Sequence, residues 1–165
     1  GGLIGVIIAQ IATCKKFKVK FLVLTDISSL TVPLGFMLGR IANFINGELY
    51  GRITQHPIGI IFPNGGNLPR HPSQLYEAFF EGFILFLILN LLFYFSKIKS
   101  LTGMLTGVFI FLYGVFRFLI EFFREPDAQL GLFFLNLTLG QILCSAMIIV
   151  GFFTIIFSLK YSKSI

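Results

Sequence analysis

The stretch Gly39–Gly51 carries side chains that suit the binding of an anionic head group. It reads GRIANFINGELYG and holds an arginine, two asparagines, a glutamate and three glycines. On helical spacing, Arg40, Asn43 and Gly47 share one side. A guanidinium offers a fixed fork of donors, and asparagine adds neutral donors beside it. Because glycine tolerates the left-handed conformation that ends many helices, we expect a helix to stop at Gly47.

A second set of polar residues lies late in the chain at the spacing i, i+4, i+8, i+11. It consists of Tyr113, Arg117, Glu121 and Arg124, which form one stripe on a helix. A charged residue within a membrane span costs roughly 2.5–3.5 kcal/mol on insertion scales, so such residues usually face an interior. One interpretation is an Arg117–Glu121 ion pair that only locks helices together. The other is a polar pocket shared with Gly39–Gly51.

Two further features lie at the start of a hydrophobic segment. Glu77 and Glu81 form another stripe at i, i+4, and His71 precedes them in the sequence RHPSQ. The stripes and the Gly39–Gly51 motif all fall near the same ends of their hydrophobic segments, which favours one common polar pocket. His71 has three interpretations: a base, a donor to phosphate, or an anchor for its loop.

The elements that position these residues are hydrophobic segments. Of 165 residues, 56% are hydrophobic and 12% are charged, with 22 phenylalanines, whereas soluble domains carry about 25% charge. The composition predicts an integral membrane protein. The formal net charge of +6 does not indicate nucleic-acid binding, because the lysines cluster in short loops, which is typical of the cytoplasmic side. The lysines are Lys15, Lys16, Lys18, Lys20, Lys97, Lys99, Lys160 and Lys163.

The sequence predicts an all-α fold, a polytopic membrane helix bundle of four full transmembrane helices plus one truncated helix, in one domain over residues 1–165. The apolar residues 1–14 are too few to cross a bilayer, which needs about 20, and we expect them to end a helix that begins upstream. The full spans are expected at Phe21–Leu38, Leu75–Ser96, Leu101–Phe123 and Leu132–Leu159.

The segment 52–72, between the second and third helices, is rich in proline and turn-forming residues. We expect a small folded cap on the external surface, with a short strand within the apolar residues 58–62. Ser73 follows Pro72 and is expected to be the N-cap of the next helix. Asp26 is interpreted as a carboxylate at a helix start.

The two cysteines, Cys14 and Cys144, lie in or at the end of apolar segments. We interpret them as small core residues. Their number and positions predict no disulfide framework, and the sequence shows no spacing typical of a metal site.

Several blocks of the sequence resemble those of bacterial prolipoprotein diacylglyceryl transferases. GRIANFINGELYG resembles the family signature, in which glycine, arginine, any residue, glycine, asparagine and phenylalanine precede an asparagine and a glutamate. Further similar blocks are RHPSQLYEA at Arg70–Ala78, YGVFRFLIEFFREPDAQLG at Tyr113–Gly131 and GQIL at Gly140–Leu143, and the opening GGLIG resembles a segment that follows a histidine. Their order and spacing agree with the family over nearly the whole chain.

The resemblance implies an enzyme of the bacterial inner membrane that uses phosphatidylglycerol and the lipobox segment of preprolipoproteins. It implies transfer of the diacylglyceryl group to the lipobox cysteine thiol, which forms a thioether and releases glycerol phosphate. Lysine loops would be cytoplasmic, and the site would face the outer leaflet. Because the reacting thiol belongs to the substrate, the resemblance implies that this protein needs no cysteine of its own. It also implies no cofactor, that is, no metal or nucleotide.

The resemblance also implies roles for residues. Arg40 resembles the arginine that binds phosphatidylglycerol. Further substrate-binding positions are His71, Gln74, Tyr113 and Arg124, and the positions assigned to catalysis are Asn43, Glu48, Gly51, Arg117 and Glu121. Ala42 departs from the family pattern, which has glycine there, so its methyl group is either tolerated or crowds the head group.

A further departure is that the family's first helices and the histidine before the opening Gly-Gly are not in this chain. That histidine is a candidate for activating the thiol, and we expect the 165-residue chain alone to be inactive or poorly folded.

Two other classes of protein also bury charges in membranes. A lipid-binding transporter or channel would need charges along the whole depth of its spans, whereas the inner halves here are almost uniformly apolar. A purely structural membrane protein would explain ion pairs but not the glycine-rich polar motif.

Overall fold

The computed structural model describes residues 1–125 and 137–161, and helices make up most of both parts. Three helices are long and apolar enough to cross a membrane, and one apolar helix is shorter. Of the four full spans expected, three therefore contain a helix long enough to cross a membrane. The helices are α1 (Gly2–Phe17), α2 (Phe21–Ile45), α3 (Ser73–Phe95), the shorter α4 (Met104–Ile120) and α5 (Leu139–Tyr161), with a 3-10 turn at Lys97–Ser100.

Some predicted helix ends were wrong. α1 continues past Cys14 to Phe17, because lysines in a last turn interact favourably with the carbonyl end of a helix. It stops where Lys18 adopts a left-handed conformation with φ 54°. α4 begins and ends three residues inside the predicted span. The predicted start of the last span, at residues 132–136, and Lys163 lie outside the described residues.

The predicted stop at Gly47 is confirmed. α2 extends to Ile45, so the first half of the Gly39–Gly51 motif is helical. Gly47 has φ +67°, and its N–H donates to the carbonyl of Phe44 at 3.1 Å, while the N–H of Glu48 donates to that of Asn43 at 3.0 Å. This pair of hydrogen bonds is the Schellman motif, which satisfies carbonyls that a helix end leaves free.

α3 is irregular in a way that the sequence did not predict. Its residues Ala78–Ile84 form a π-helix between two α-helical parts, and such segments often occur at functional sites. The prediction that Ser73 is the N-cap was wrong by one residue, since Pro72 holds that position. The Ser73 hydroxyl instead donates to the carbonyl of Leu49 at 3.2 Å, which ties the start of α3 to the end of the Gly39–Gly51 motif.

Glycines allow the helices to approach closely. A Cβ on Gly82 of α3 would lie 2.5 Å from the Cβ of Met37, so α3 packs directly on α2 one turn before Arg40. Gly107 and Gly114 of α4, with Gly151 of α5, make a similarly close contact between those helices. Small residues at helix contacts are typical of membrane bundles. The core forms around Leu85 and Leu89 of α3 and Leu105 of α4.

Asp26 caps a helix, but not its own. Its carboxylate accepts hydrogen bonds from the backbone N–H of Gly103 at 2.6 Å and of Thr106 at 2.8 Å, and from the Thr106 hydroxyl at 2.6 Å. These N–H groups lie at the start of α4, where the helix has no internal acceptors for them. The interpretation as a helix-start carboxylate therefore holds for α4 rather than α2.

The connection between α2 and α3 folds around Arg70. Its Nε donates to the carbonyl of Gly65 at 2.9 Å, its guanidinium lies 4.9 Å from the ring centre of Tyr50, and Nη1 pairs with Glu125 at 3.0 Å. Phe62 is buried against Tyr50. The strand expected within residues 58–62 is wrong, because in the described part of this connection Ile60 forms only an isolated bridge to Arg70.

Candidate functional site

Glu77 is the centre of a buried ionic cluster. Its side chain is 0% exposed, and three arginines from two distant parts of the chain surround it. Arg40 Nε lies 2.7 Å from Oε2, Arg117 Nη1 lies 2.5 Å from Oε1, and Arg124 Nη1 lies 3.1 Å from Oε1. Arg40 and Arg117 therefore contact the same carboxylate, and a pocket shared by the two motifs stays a prediction.

Two more buried glutamates complete the cluster. Arg117 Nη1 lies 3.6 Å from Oε1 of Glu81, and its Nη2 lies 3.3 Å from Oε2 of Glu121. Arg124 Nε lies 3.8 Å from the same Glu121 oxygen. Three arginines thus face three glutamates, so their formal charges balance, as buried charges require.

The cationic groups lie nearer to the surface than the anionic ones. The arginine side chains are 22% exposed for Arg40, 14% for Arg117 and 12% for Arg124. The glutamate side chains are 0% exposed for Glu77, 1% for Glu81 and 9% for Glu121. Each guanidinium carries five N–H donors. Within the described part of the chain, Arg40 contacts carboxylates only through Nε, and Arg124 does so through Nε and Nη1. The remaining N–H groups of these two guanidiniums have no carboxylate partner among the described residues. The cluster therefore keeps donors that could bind a further anion.

Tyr113 lies one helical turn before Arg117 and packs beside this cluster. Its ring lies 5.3 Å from that of Phe36 of α2 and 6.1 Å from that of Phe109. Tyr113 is half-buried at this contact between α2 and α4. It therefore joins the helix that carries Arg40 to the helix that carries Arg117.

Gly51 marks a crossing of three segments where a side chain would not fit. A Cβ there would collide with the carbonyl oxygen of Phe123 and would lie 2.7 Å from that of His71. The N–H of Gly51 donates to the His71 carbonyl at 2.8 Å, and the N–H of Arg52 donates to the Phe123 carbonyl at 2.9 Å. Gly51 thereby joins the end of the Gly39–Gly51 motif to the segments that lead to Glu77 and Arg124.

His71 is an anchor of this crossing. Its Nδ1 lies 3.1 Å from the Tyr76 hydroxyl, and its ring packs edge-on against Phe123 at 5.2 Å. Burial lowers the pKa of His71 below its ordinary value, and the nearby His56 lowers this pKa further. Of the three interpretations of His71, these contacts favour the loop anchor.

Gln74 and Glu48 form a contact of their own. Gln74 is fully buried, and its Nε2 donates to the backbone carbonyl of Glu48 at 2.6 Å. The Glu48 carboxylate is exposed and accepts a hydrogen bond from Asn46 at 3.4 Å. Among the described contacts, Glu48 makes no ion pair with the three arginines. The structure thus joins Gln74 to the motif backbone, outside the Glu77 cluster.

Asn43 is half-buried one turn after Arg40, and its carbonyl accepts the closing hydrogen bond of the α2 end. Its side chain forms no hydrogen bond to the described residues. Ala42 is exposed, so within this part of the chain its methyl group does not crowd the arginines.

Glu77 and Glu81 were absent from the predicted site residues. The sequence nevertheless placed them in a stripe at the start of a span, the same end as the other polar motifs. The signal that could have identified them is their charge balance. Arg40, Arg117 and Arg124 bring three positive charges to one depth, and Glu121 alone could not neutralise them.

The fold and this cluster define a helical membrane protein with a buried arginine–glutamate site near the ends of its helices. The family model described as prolipoprotein diacylglyceryl transferase matches residues 1–157. The chain therefore belongs to the prolipoprotein diacylglyceryl transferase family.

Relatives named phosphatidylglycerol–prolipoprotein diacylglyceryl transferase support this assignment. The Rickettsia akari (strain Hartford) protein is 56% identical over 155 residues, which cover 94% of this chain and 60% of that protein. The Ehrlichia canis (strain Jake) protein is 55% identical over 157 residues, with 94% and 60% covered. The Wolbachia pipientis (strain wPip) protein is 54% identical over 152 residues, with 92% and 58% covered. The chain thus spans about three-fifths of the length of these relatives.

Proposed function

We propose that the protein containing this chain transfers the diacylglyceryl group of phosphatidylglycerol to the lipobox cysteine thiol of preprolipoproteins. The observation that carries the proposal is the order of charges around Glu77. Carboxylates lie deepest, and the partly exposed guanidinium groups of Arg40, Arg117 and Arg124 retain N–H donors. Family membership and the names of the relatives support the same substrates.

The reaction forms a bond between the thiol sulfur and the terminal glyceryl carbon as the bond from that carbon to the phosphate oxygen breaks. The electron pair of the broken bond stays on the phosphate, which leaves as glycerol phosphate, and the thiol proton goes to a base or to the leaving group. Negative charge therefore grows on the leaving phosphate. Guanidinium groups aimed at that phosphate stabilise the transition state more than the ground state.

Within this proposal, Arg40 and Arg124 bind the head group, and Arg117 stabilises the leaving phosphate. Glu121 orients Arg117 and Arg124 through its ion pairs with both. Tyr113 lines the site one turn before Arg117. His71, Gln74 and Gly51 hold the motif backbone in position through the contacts of their carbonyl and amide groups.

Asn43 and Glu48 complete the proposed catalytic residues. The Glu48 carboxylate is exposed. The Asn43 side chain is half-buried, and its amide forms no hydrogen bond to the described residues. Both side chains are therefore accessible to a substrate, which supports these proposed roles. The proposed reaction needs no metal or nucleotide.

We also propose the arrangement in the bacterial inner membrane. α4 has 17 residues, about 25 Å at 1.5 Å per residue, and packs along α5, so it crosses the membrane with α2, α3 and α5. α1 belongs to a fifth span. The lysine loops lie in the cytoplasm, since clustered lysines favour that side, and the site faces the outer leaflet. Residues 52–72 form an external cap on this single membrane domain.

The test is a transfer assay with phosphatidylglycerol and a lipobox peptide, run on the complete protein in membranes. Arg117→Lys keeps the positive charge that Glu77 and Glu121 need but loses the guanidinium fork. We expect kcat to fall about 10²–10³-fold, the effect of losing one donor to a transition-state charge, with little change in unfolding temperature. Full turnover by this variant would contradict the proposal.

A transporter or channel is the alternative function, and the structure gives it less support. The charged group at the other end of α4, Asp26, is held by the N–H groups of Gly103 and Thr106. It lies about 20 Å from the level of Arg117 along α4, and the helix between them is apolar. Movement of intact labelled phosphatidylglycerol across the membrane, without any thioether product, would favour this alternative.

A further inference from the structure

The start of α5 forms a second group of buried polar residues around Glu121. Thr138, at the residue before the helix, is 6% exposed, and Gln141 is 3% exposed. The Thr138 hydroxyl accepts a hydrogen bond from the Gln141 N–H at 3.1 Å, and the Gln141 side-chain oxygen accepts one from the Thr138 N–H at 3.0 Å. This reciprocal pair is a capping box, which fixes the first turn of a helix.

The same threonine hydroxyl is bonded to Glu121. A threonine hydroxyl has one O–H donor, and that of Thr138 donates to Oε1 of Glu121 at 3.0 Å. The Thr138 hydroxyl thus accepts from the Gln141 N–H and donates to Glu121. Because the capping box fixes the hydroxyl, it also fixes the carboxylate to which the hydroxyl donates.

Gly140 supplies the space for that carboxylate. A Cβ on Gly140 would lie 2.6 Å from Oε1 and 2.8 Å from Cδ of Glu121. The carboxylate cannot easily move aside, since its other oxygen lies 3.3 Å from Arg117 Nη2 and 3.8 Å from Arg124 Nε. Glu121 therefore lies between the start of α5 and two of the arginines, at a helix end that favours negative charge.

We propose that Thr138, Gly140 and Gln141 are positioning residues that hold the Glu121 carboxylate and, through it, orient Arg117 and Arg124 toward the lipid phosphate. This inference rests on the proposed function and extends it to the start of α5. Its consequence is that a change made at α5, away from the substrate, lowers kcat per folded molecule. The KM for phosphatidylglycerol changes less, because of the two arginines assigned to the head group Arg40 keeps its contact with Glu77 and Arg124 keeps its second contact, also with Glu77.

The test compares four variants of the complete protein in the transfer assay, with folded protein measured by thermal unfolding. Thr138→Val removes the hydroxyl, whereas Thr138→Ser keeps it. Gly140→Ala keeps the capping box but places a methyl group against the Glu121 carboxylate, which must move. Gly35→Ala is the matched control, because a Cβ at that helical glycine meets no atom within 4 Å.

We expect kcat to fall roughly tenfold to a hundredfold for Thr138→Val and Gly140→Ala, the effect expected for a hydrogen bond to a charged group. Thr138→Ser and Gly35→Ala should stay within about twofold of the parent protein. If Thr138→Val and Gly140→Ala lose only folded protein while kcat per folded molecule is unchanged, the inference is wrong. That result, combined with a large loss for Arg117→Lys, would leave the proposed function intact, whereas full turnover by Arg117→Lys would contradict the proposed function itself.

Discussion

Arg40 and Glu77 are 37 positions apart in the chain, and the Nε of one lies 2.7 Å from the Oε2 of the other. This contact joins the end of α2 to the second turn of α3. It is possible because Gly82 lets α3 approach Met37 closely, one turn before Arg40. The glycine contact and the ion pair therefore belong to the same approach of the two helices.

The first prediction concerns the charge of Glu77. Glu77→Gln keeps the shape of the side chain but leaves three guanidinium groups facing two carboxylates. We expect the free energy of unfolding to fall by about 3–5 kcal/mol, the cost of removing one partner of a buried ion pair. We also expect transfer activity to be lost. Thermal unfolding of the purified protein in detergent measures the stability.

The matched control for Glu77 is Glu125, which is about half exposed and pairs with Arg70. Glu125→Gln should cost about 0–1 kcal/mol, as exposed ion pairs do. Equal destabilisation by the two variants would show that the buried cluster stabilises the fold no more than an exposed ion pair does.

The sequence was informative about local features and less so about partners. The Gly47 stop, the apolar helices and the polar ends of the spans were predicted because each depends on residues close together in the chain. Local spacing could not identify Glu77 as the centre of the cluster, since its arginine partners come from two distant segments, Gly39–Gly51 and Tyr113–Arg124. The helix that Asp26 caps is also set by tertiary contact, as is the π-helix that lies between Glu77 and Leu85.

The second prediction concerns Gly51. Gly51→Ala places a methyl group against the carbonyl oxygens of Phe123 and His71, which are backbone atoms that cannot rotate away. We expect a loss of about 1–3 kcal/mol, typical of overpacking. Gly35→Ala in α2 should instead be neutral or stabilising by up to about 1 kcal/mol, because alanine is the better helix former. Unfolding curves of both variants test the difference in sign.

The third prediction concerns pH and His71. Its pKa is lowered in the folded protein by burial and then by His56, so the folded state holds fewer protons than the unfolded state. The contribution of His71 to the free energy of unfolding is therefore fully present above the pKa of histidine in the unfolded chain, about 6.5. It is lost as pH falls through the lower folded pKa.

Unfolding temperatures measured between about pH 5.5 and 7.5 test this prediction, since the window includes the ordinary histidine pKa. The parent protein should lose stability toward the acid end. His71→Gln should lose less over the same range, and His56→Gln should reduce the slope because it removes one cause of the lowered pKa. A parent protein that becomes more stable toward pH 5.5 would contradict the assigned direction.

The fourth prediction separates stability from activity. Asp26→Ala removes the acceptor for the first N–H groups of α4, and losing such a cap costs about 0.5–2 kcal/mol. Because Asp26 lies at the opposite end of α4 from Arg117, kcat per folded molecule should stay unchanged. A fall in kcat that exceeds the loss of folded protein would show that the two ends of α4 are coupled.

The central claim is that the guanidinium groups around Glu77 hold the phosphate of the lipid. The most direct measurement is an experimental structure of the complete protein with bound phosphatidylglycerol. We predict phosphate oxygens at about 2.7–2.9 Å from guanidinium nitrogens of Arg40 and Arg117, the distance of charge-assisted hydrogen bonds, while Glu77 stays behind them. A head-group phosphate bound elsewhere, with both arginines contacting only glutamates, would contradict the claim.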